Sequence, residues 1–490
     1  MQRVPHIEFL CLIPVMTLAL LAPFPAPGSA AGRRAAVPAR TAVTQTTGSA
    51  ASRHAAAPSV RKATPGHPFS VQDKPENYRS TLSQEATQGL NRALAARIGG
   101  YGDHVPGLSV LIFRDGKEVY RNSMGNAFLS PNNSRWNLPV TATTRFRVAS
   151  LSKMITAIGI MQQVEAGRLD LDADVSSYLG FRFRNPRYPG TPLTARMLLS
   201  HTSSLRDSGN SYIPVSTTLQ QFYGPGRGFA PAGEAPGQYF SYCNSNYIVL
   251  ATILERISGE RFDRYATEHI LAPLDIHGSF NLHDFSAADL QQLGTLYRKP
   301  DGVQSPYRAT VDGRPPRILP DAGAIRSYRT GTNAALFVPQ GGLRVSAIEL
   351  SHLLEMLFND GLYRGRRILQ PSSVRAMVQP QWTYNASHPN GTIGEDNIEQ
   401  YGLGLQYLSG TGSTKAAPGR PDVDLTGHFG EAYGFIGGLF WQPGTQNGFV
   451  FLQNGCATPE EDNPGRYSRS YRQEEAMLEP IVRYAFPKSR

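Results

Sequence analysis

The chain has 490 residues, of which 40% are hydrophobic, so it can bury a large core and form more than one structural unit. Its formal charge of +10 suggests a nucleic acid partner, but residues 1–80 hold nine Arg or Lys against three Asp or Glu. The remaining residues are therefore only mildly basic, and they lack a basic helix or an alternation of aromatic and basic residues, which argues against nucleic acid binding.

The first 30 residues have the pattern of a signal peptide. Residues 10–22 are mostly apolar, a run too short to span a bilayer comfortably. Small residues at 28–31 suit signal peptidase cleavage near Ala30. The charge of Glu8 offsets that of Arg3 before the apolar run, so the segment is only weakly basic. An uncleaved membrane anchor is therefore the alternative to a cleaved signal peptide. We expect an exported protein, periplasmic or secreted, with no stable membrane span beyond the signal segment.

Residues 31–80 form an Ala/Pro/Thr-rich segment with almost no large apolar side chains. Such a composition cannot bury a core, and it predicts a disordered linker. The folded domain is therefore expected over residues 81–490.

The folded part is predicted to begin with a helix and a hairpin. Ser83 is a suitable N-cap for a helix that the glycine pair at 99–100 ends. Asp115-Gly116 then separates the apolar runs 106–113 and 118–121, which is a strong hairpin signal.

Residues 151–340 indicate an inserted, mainly helical unit. A short helix is predicted at 194–199 and an amphipathic helix at 247–257. Residues 281–340 are rich in Pro, Gly and Arg, and they predict an irregular segment whose role the sequence does not assign.

The last part of the chain returns to a mixture of helices and strands. A helix is predicted at 347–358, strands at 401–407, 435–441 and 448–453, and a closing helix at 474–484. The expected fold class is therefore α+β, with an α/β part from about 81–150 and 341–490 around the helical insertion.

Ser150 and Lys153 form the first candidate catalytic pair. Three residues apart at the start of a predicted core helix, their side chains share one face, and a nearby amine can help to activate a serine hydroxyl. The spacing occurs by chance about once in such a chain. A capping serine and a solvated lysine therefore form the alternative interpretation.

Tyr242 and Asn244 lie just before the helix predicted at 247–257. A tyrosine beside a lysine can shuttle protons, and an amide can bind a substrate carbonyl. A packed aromatic and a helix cap are the structural alternative.

His428 and Gly430 lie in a glycine-rich stretch before a predicted strand. The histidine is expected to face a cleft and to polarise a substrate or bind its carboxylate, and Gly430 to allow a substrate close to the backbone. A surface histidine in a turn is the alternative.

Together these residues resemble the serine β-lactamase and penicillin-binding-protein superfamily, in its class C-like branch. The three motifs, in the order of that branch, are Ser150-x-x-Lys153, Tyr242-x-Asn244 and His428-x-Gly430. Flanking stretches are similar to the branch as well, at 146–157, 198–203, 341–346 and 401–404. The resemblance covers roughly residues 85–485.

This resemblance implies a β-lactamase/transpeptidase-like fold, an antiparallel sheet flanked by N- and C-terminal helices. It implies that Ser150 is acylated, that Lys153 and Tyr242 transfer protons, and that Asn244 positions the acyl side chain. The backbone N–H groups of Ser150 and Glu431 would form the oxyanion hole. His428 would replace a lysine found in class C β-lactamases. No metal or cofactor is expected, since His-Glu-x-x-His is absent and the other histidines are scattered.

Two departures from the family pattern bear on the substrate. Phe429 replaces a threonine or serine, so a hydroxyl for a substrate carboxylate is missing, and Glu431 would repel an anionic substrate. The sequence therefore favours an ester or amide, of the peptide or D-amino-acid type. A class C-like β-lactamase or a D-alanyl-D-alanine carboxypeptidase is one alternative, and a catalytically weak protein that binds cell wall or a partner is another.

Three smaller points complete the prediction. Cys243 and Cys456 can pair or remain two buried thiols, and the oligomeric state is open. His201 is interpreted as a structural residue of the helical unit.

Overall fold

The computed structural model describes residues 76–100, 102–207, 213–392, 398–457 and 464–487. The helices of this part are α1 Gln84–Ala95, α2 Ser152–Glu165, α3 Val175–Leu179, α4 Ala195–Leu199, α5 Leu219–Tyr223, α6 Ser245–Ser258, α7 Phe262–Ala266, α8 Ala287–Gln292, α9 Ala322–Ser327, α10 Ala347–Phe358, α11 Pro371–Val378 and α12 Arg472–Ala485.

The strands of the same part vary from two to twelve residues. They are β1 Tyr78–Ser80, β2 Gly107–Arg114, β3 Lys117–Phe128, β4 Leu138–Pro139, β5 Phe146–Arg147, β6 Leu296–Arg298, β7 Arg308–Val311, β8 Arg344–Val345, β9 Leu362–Tyr363, β10 Arg366–Arg367, β11 Trp382–Thr383, β12 Gln400–Tyr401, β13 Gln406–Leu408, β14 Leu425–Ala432, β15 Phe435–Trp441, β16 Gly448–Gln453 and β17 Gly455–Cys456.

One antiparallel sheet combines strands from both ends of the chain. Its order is β1-β3-β2-β16-β15-β14-β13-β12-β11, with β4 pairing beside β3. The join is the antiparallel pair of β2 and β16, in which Val110 lies opposite Phe451. The predicted α+β fold class, with a sheet built from both chain ends, is confirmed.

Helices cover both faces of this sheet. Neighbouring residues of β2 point to opposite faces, as strand geometry requires. Val110 packs in a cluster with Leu94 of α1 and Ile481 of α12. Leu111 packs in the larger cluster of α2, α6 and α10, which includes Leu250. The sheet therefore lies between the two terminal helices and the inserted helical unit.

The predicted N-terminal helix is present and capped as expected. The Ser83 hydroxyl accepts a hydrogen bond from the Ala86 N–H at 3.3 Å, which satisfies one of the free donors of the first turn. The helix ends at Ala95, four residues before the predicted glycine pair, because Ile98 pairs with Val105 instead.

The hairpin of β2 and β3 is confirmed, and its turn lies at the predicted dipeptide. Asp115 has φ 51° and Gly116 has φ 71°. Two positive φ angles are what a tight hairpin turn of the primed type requires, and Asp-Gly tolerates them.

The segment predicted as one strand over 401–407 is two strands, β12 and β13. Gly404 lies between them with φ 80°, and a Cβ there would be 2.8 Å from the Cβ of Ala157. The glycine thus permits a turn that presses against α2. The one-strand prediction is wrong because this packing cannot be read from local alternation.

Helix α6 was predicted as amphipathic, but it is buried from Ser245 to Glu255. Helices α2, α3 and α4 surround it together with the turn Ala334–Phe337. Its position inside the helical unit explains why even polar residues on it are buried, and it makes the helix a rigid support for the residues at its N-terminus.

Residues 281–340 were predicted to be irregular, but short helices and strands interrupt the irregular stretches. The segment contains α8, α9 and the hairpin of β6 and β7, and β6 also pairs in parallel with β17. A buried ion pair joins Arg344 to Asp312 at 3.0 Å. These elements are too short to give a periodic pattern, and they depend on partners distant in sequence.

The predicted signal peptide and nearly all of the predicted linker lie outside the described residues. The described chain already forms β1 at Tyr78, whose ring packs edge-on against Tyr120 with centroids 6.3 Å apart. No helix among the described residues is both long and apolar enough to cross a membrane.

Candidate active site

Ser150 lies in a 3-10 turn, Ala149–Leu151, that leads from β5 into α2. Ala149 has φ 46°, a conformation that costs energy for a residue with a side chain and is common at functional turns. Because α2 is buried along most of its length, the Lys153 side chain is 0% exposed although it carries a cationic group. The turn thus presents Ser150 beside a buried ammonium.

The Lys153 ammonium contacts three oxygen acceptors. Its Nζ lies 2.9 Å from Ser150 Oγ, 2.8 Å from Asn244 Oδ1 and 3.2 Å from the carbonyl oxygen of Gln340. An ammonium has three N–H donors, so these acceptors satisfy its charged form. The structure therefore brings together the two motifs that contain Ser150 and Asn244.

Tyr242 completes this group on the extended chain before α6. Lys153 Nζ lies 4.7 Å from the centre of the Tyr242 ring, which is a cation–π contact. The tyrosine is half-buried and lines the same cleft as Ser150. Tyr242 and Ser150 thus both lie next to the Lys153 ammonium and line one cleft.

Asn244 is not the side-chain cap of α6, because Asp207 has that function. The Asp207 carboxylate accepts hydrogen bonds from Asn244 N at 2.6 Å, from Ser245 N at 3.0 Å and from Ser245 Oγ at 2.6 Å. A carboxylate is favoured at the positive end of a helix dipole. The Asn244 amide is therefore left to contact Lys153. Sequence reasoning missed Asp207, which lies 37 residues earlier and in no local motif.

His428 lies on β14, where it is 1% exposed. Its Nδ1 lies within hydrogen-bond distance of the Phe429 carbonyl oxygen, which can only accept, so we assign the proton to Nδ1. Nε2 then accepts from the Tyr401 hydroxyl at 2.8 Å. Burial, and next the charge of Lys153, lower the pKa of His428 to about 3. The ring lines the cleft as a neutral group.

Gly430 and Glu431 bring β14 next to the serine turn. A Cβ on Gly430 would be 2.5 Å from the Val148 carbonyl oxygen, so the glycine allows the strand to approach the turn itself. The Glu431 carboxylate lies 3.4 Å from Arg298 of β6 and is one-third exposed. β14 thus packs against the turn that contains Ser150, and Glu431 lines the same cleft as the serine.

A small cleft of about 80 Å³ opens above Ser150. Its walls include Tyr242, Gln406, Phe429, Glu431 and Glu474. Among the described residues that line it, two carry carboxylates and none is Lys or Arg. Glu474 and Gln406 were not predicted from the sequence, because neither belongs to a motif. Gln406 accepts the Phe429 N–H at 2.8 Å and so supports the cleft wall.

Both cysteines of the described chain are buried, and no disulfide joins Cys243 to Cys456. Cys243 Sγ lies 3.3 Å from Asp207 Oδ1. The thiol thus contacts the same carboxylate that caps α6, and burial raises its pKa well above the usual range.

Two solved structures share the fold with most of the chain. The D-amino acid amidase of Ochrobactrum anthropi SV3, complexed with L-phenylalanine amide, aligns with a TM-score of 0.57 and 20% identity, over 82% of this chain and 99% of that one. EstCE1, a hydrolase with promiscuous acyltransferase activity, aligns with a TM-score of 0.57 and 22% identity, over 81% of this chain and 99% of that one.

Sequence comparison identifies the family. Protein flp of Staphylococcus aureus strain N315 is 27% identical over 207 residues, which are 40% of this chain and 41% of that protein. The chain therefore spans well under half the length of these curated relatives. The family described as Beta-lactamase matches residues 91–471, which include Ser150, Lys153, Tyr242 and His428. The chain therefore belongs to the β-lactamase family of serine hydrolases.

Proposed function

We propose that this protein is an exported hydrolase of the class C-like branch that forms an acyl-enzyme at Ser150. Its substrate is an ester or an amide, of the peptide or D-amino-acid type, without a carboxylate near the scissile bond. The observation that carries the proposal is the 2.9 Å contact of Lys153 Nζ with Ser150 Oγ, beneath the ring of Tyr242.

Acylation begins when the deprotonated Tyr242 oxygen takes the Ser150 proton and Oγ attacks the substrate carbonyl carbon. The backbone N–H groups of Ser150 and Glu431 stabilise the negative charge on the carbonyl oxygen. The bond to the leaving group breaks as Tyr242 returns the proton to the departing alcohol or amine. Tyr242 then takes a proton from water as the water oxygen attacks the acyl carbon. The bond from that carbon to Ser150 Oγ breaks while Tyr242 returns the proton to Oγ, and the acid leaves.

Lys153 acts in this scheme through its charge. Its three acceptors favour the ammonium form, and an ammonium close to a phenolate stabilises that phenolate. Of Lys153 and Tyr242, the phenolate of Tyr242 is therefore the better proton acceptor. Asn244 holds the ammonium through Oδ1, which leaves its amide nitrogen for the acyl side chain of the substrate.

The cleft chemistry supports a neutral or cationic substrate. Glu431 and Glu474 place carboxylates at its walls, and His428 is neutral rather than cationic. Phe429 packs on Phe440 with ring centroids 4.7 Å apart, so its place supplies no hydroxyl for a carboxylate. The likeness to an amidase and to EstCE1 is in accord with amide or ester cleavage. Efficient hydrolysis of penicillins is correspondingly disfavoured.

Covalent labelling tests the acyl-enzyme. A fluorescent fluorophosphonate should label the wild type and the control Ser327→Ala, in which an exposed serine of α9 is removed, but not Ser150→Ala. A wild type that no such probe labels would contradict the proposal and favour a catalytically weak binding protein. A screen with nitrocefin, p-nitrophenyl butyrate and a D-Ala-D-Ala peptide then separates β-lactamase, esterase and carboxypeptidase activities.

The charge of Glu431 tests the substrate class. Glu431→Gln should raise kcat/KM for a p-nitrophenyl succinate monoester by about threefold to tenfold at low salt, because a repulsive charge is removed. The value for neutral p-nitrophenyl butyrate should stay nearly constant. Glu85→Gln on α1, across the sheet from the helical unit, is the matched control. Equal effects on both esters would refute the electrostatic selection.

Export is the remaining part of the proposal, and it rests on the pattern of residues 1–30. Expression of the full chain followed by mass spectrometry of the N-terminal peptide should find a new terminus near residue 31. An intact Met1 terminus on protein retained inside the cell would contradict it.

A further inference from the structure

His201 is a buried residue to which the mechanism above assigns no role. It follows α4 and is 1% exposed. Its φ is 58°, a left-handed conformation that is uncommon for a residue with a large side chain. Burial, and next the charge of Lys153, hold its pKa well below the usual range, so the imidazole is neutral.

His201 contacts the backbone on both sides of Tyr242. Its carbonyl oxygen accepts the Ser241 N–H at 3.0 Å, and its ring Nδ1 accepts the Cys243 N–H at 3.0 Å. One residue thus binds the backbone N–H groups of the residues before and after the tyrosine. His201 makes both contacts, one from its backbone and one from its side chain, while its φ is left-handed.

The imidazole also packs against the Tyr242 ring. The two ring centroids are 4.3 Å apart with an angle of 31° between the planes. Since Nδ1 is an acceptor, the proton of the neutral ring lies on Nε2, which has no hydrogen-bond partner among the described residues. Nε2 therefore makes no hydrogen bond that would fix the ring orientation. The orientation of the imidazole is set instead by Nδ1 and by packing against Tyr242.

We propose that His201 is the positioning residue for Tyr242, which fixes the phenol against the Lys153 ammonium and Ser150. The inference rests on the proposed function, since Tyr242 must transfer protons for its placement to affect the rate. A displacement of a catalytic group by about 1 Å can lower the rate by up to about a hundredfold, so loss of the residue that positions Tyr242 should be measurable.

His201 Nδ1 also accepts from the Asn246 amide nitrogen at 3.1 Å. Two substitutions separate the Nδ1 acceptor from the ring that packs on Tyr242. His201→Phe keeps a flat ring against Tyr242 but removes the Nδ1 acceptor. His201→Asn keeps an acceptor close to the place of Nδ1 and tolerates the left-handed φ, but it removes the ring. Each is combined with Tyr242→Phe, so that a double-mutant cycle measures whether His201 acts through Tyr242.

The readouts are the rate constant of fluorophosphonate labelling and kcat and KM for p-nitrophenyl butyrate, beside the unfolding temperature. We expect His201→Phe to lower the labelling rate and kcat by about tenfold to a hundredfold, with KM within about twofold of wild type. His201→Asn should lose less. In the Tyr242→Phe background neither substitution should lower the rate further.

Rate losses that persist in full in the Tyr242→Phe background would overturn the inference, and so would a lower unfolding temperature at unchanged kcat, which is the result of a purely structural histidine. If His201→Phe does not fold, the cycle with His201→Asn decides in the same way. A wild type that is not labelled at all overturns the proposed function instead, which keeps the two failures distinct.

Discussion

The positive charge of Lys153 lies near two histidines that are both neutral. His201 and His428 are both buried, and the charge of Lys153 adds to burial in lowering the pKa of each. The charge of Lys153 is balanced by oxygen dipoles from Ser150, Asn244 and Gln340. In the mechanism that we propose, this ammonium stabilises a phenolate at Tyr242.

Tyr242→Phe should lower kcat by two or more orders of magnitude, because it removes only the group that transfers the proton. The ring contacts with Lys153 and His201 remain in this variant, so the unfolding temperature should change little. Steady-state kinetics beside a thermal melt measure both quantities. A variant with nearly wild-type turnover would refute the role of the phenol.

The depressed pKa of His428 predicts an acid-sensitive fold. The folded histidine binds a proton only near pH 3, while the unfolded one binds it near its ordinary value of 6.5. Between these values the unfolded state binds more protons at this position, so His428 makes stability fall as the pH falls, by roughly 1 kcal/mol for each pH unit below 6.5.

His428→Gln should flatten this dependence, because its amide oxygen can still accept from the Tyr401 hydroxyl but does not titrate in this range. Calorimetric melts of both proteins from pH 4 to pH 7 provide the comparison. An equally steep loss of stability in the variant would show that His428 is not the source.

At the scale of elements, helix α6 determines where the second motif lies. It begins at Ser245, and its first N–H groups bind Asp207. Its body is enclosed by other helices, so the start of the helix cannot shift easily. Tyr242, Asn244 and Lys153 meet because the starts of α2 and α6 meet, while β14 closes the cleft from the sheet.

Asp207→Ala should cost about 1 to 2 kcal/mol of stability, which is the usual effect of losing a helix cap. It should also lower kcat, because the freed N–H groups at Asn244 and Ser245 no longer fix the second motif. Thermal melts and steady-state kinetics measure the two effects.

Asp321→Ala is the matched control for this prediction. Asp321 is exposed and caps α9 through Gly323 N and Ala324 N, away from the cleft lining. This variant should lose a comparable cap without a loss of kcat. A fall in kcat of the same size in both variants would mean that general destabilisation, rather than the second motif, is responsible.

At the scale of the whole molecule, a single sheet connects the beginning and the end of the described chain. β1 and β11 are its two edge strands, and β2 pairs with β16 in its middle. The terminal helices α1 and α12 share a hydrophobic cluster on one face. The first and last elements of the described chain are therefore joined through one sheet and one hydrophobic cluster.

Deletion of residues 32–70 should leave activity unchanged, because that segment has the composition of a tether and every described element lies beyond it. Steady-state kinetics of the purified truncation, with a thermal melt as the control for folding, test this. A truncated protein that misfolds or loses turnover would contradict the prediction.

The sequence alone determined the features with local physical causes. Ser83 accepts a hydrogen bond from a helix N–H, and Asp115-Gly116 adopts the positive φ angles of the hairpin turn. Strands 435–441 and 448–453 are apolar enough to be predicted from composition alone. The three motifs also stand in a recognisable order, and the structure places Ser150, Lys153, Tyr242 and Asn244 in one group. Their chemical roles stay predictions.

Only the tertiary structure decided how those motifs are held. Asp207 caps α6 from outside any motif, and His201 contacts both neighbours of Tyr242. Tyr401 and the Phe429 carbonyl occupy the two ring nitrogens of His428, a residue that was expected to contact a substrate. The hairpin of β6 and β7 likewise exists through pairing with a strand far along the chain. Contacts across such separations have no period or spacing in the sequence, because they depend on how buried elements pack rather than on which residues are neighbours in the chain.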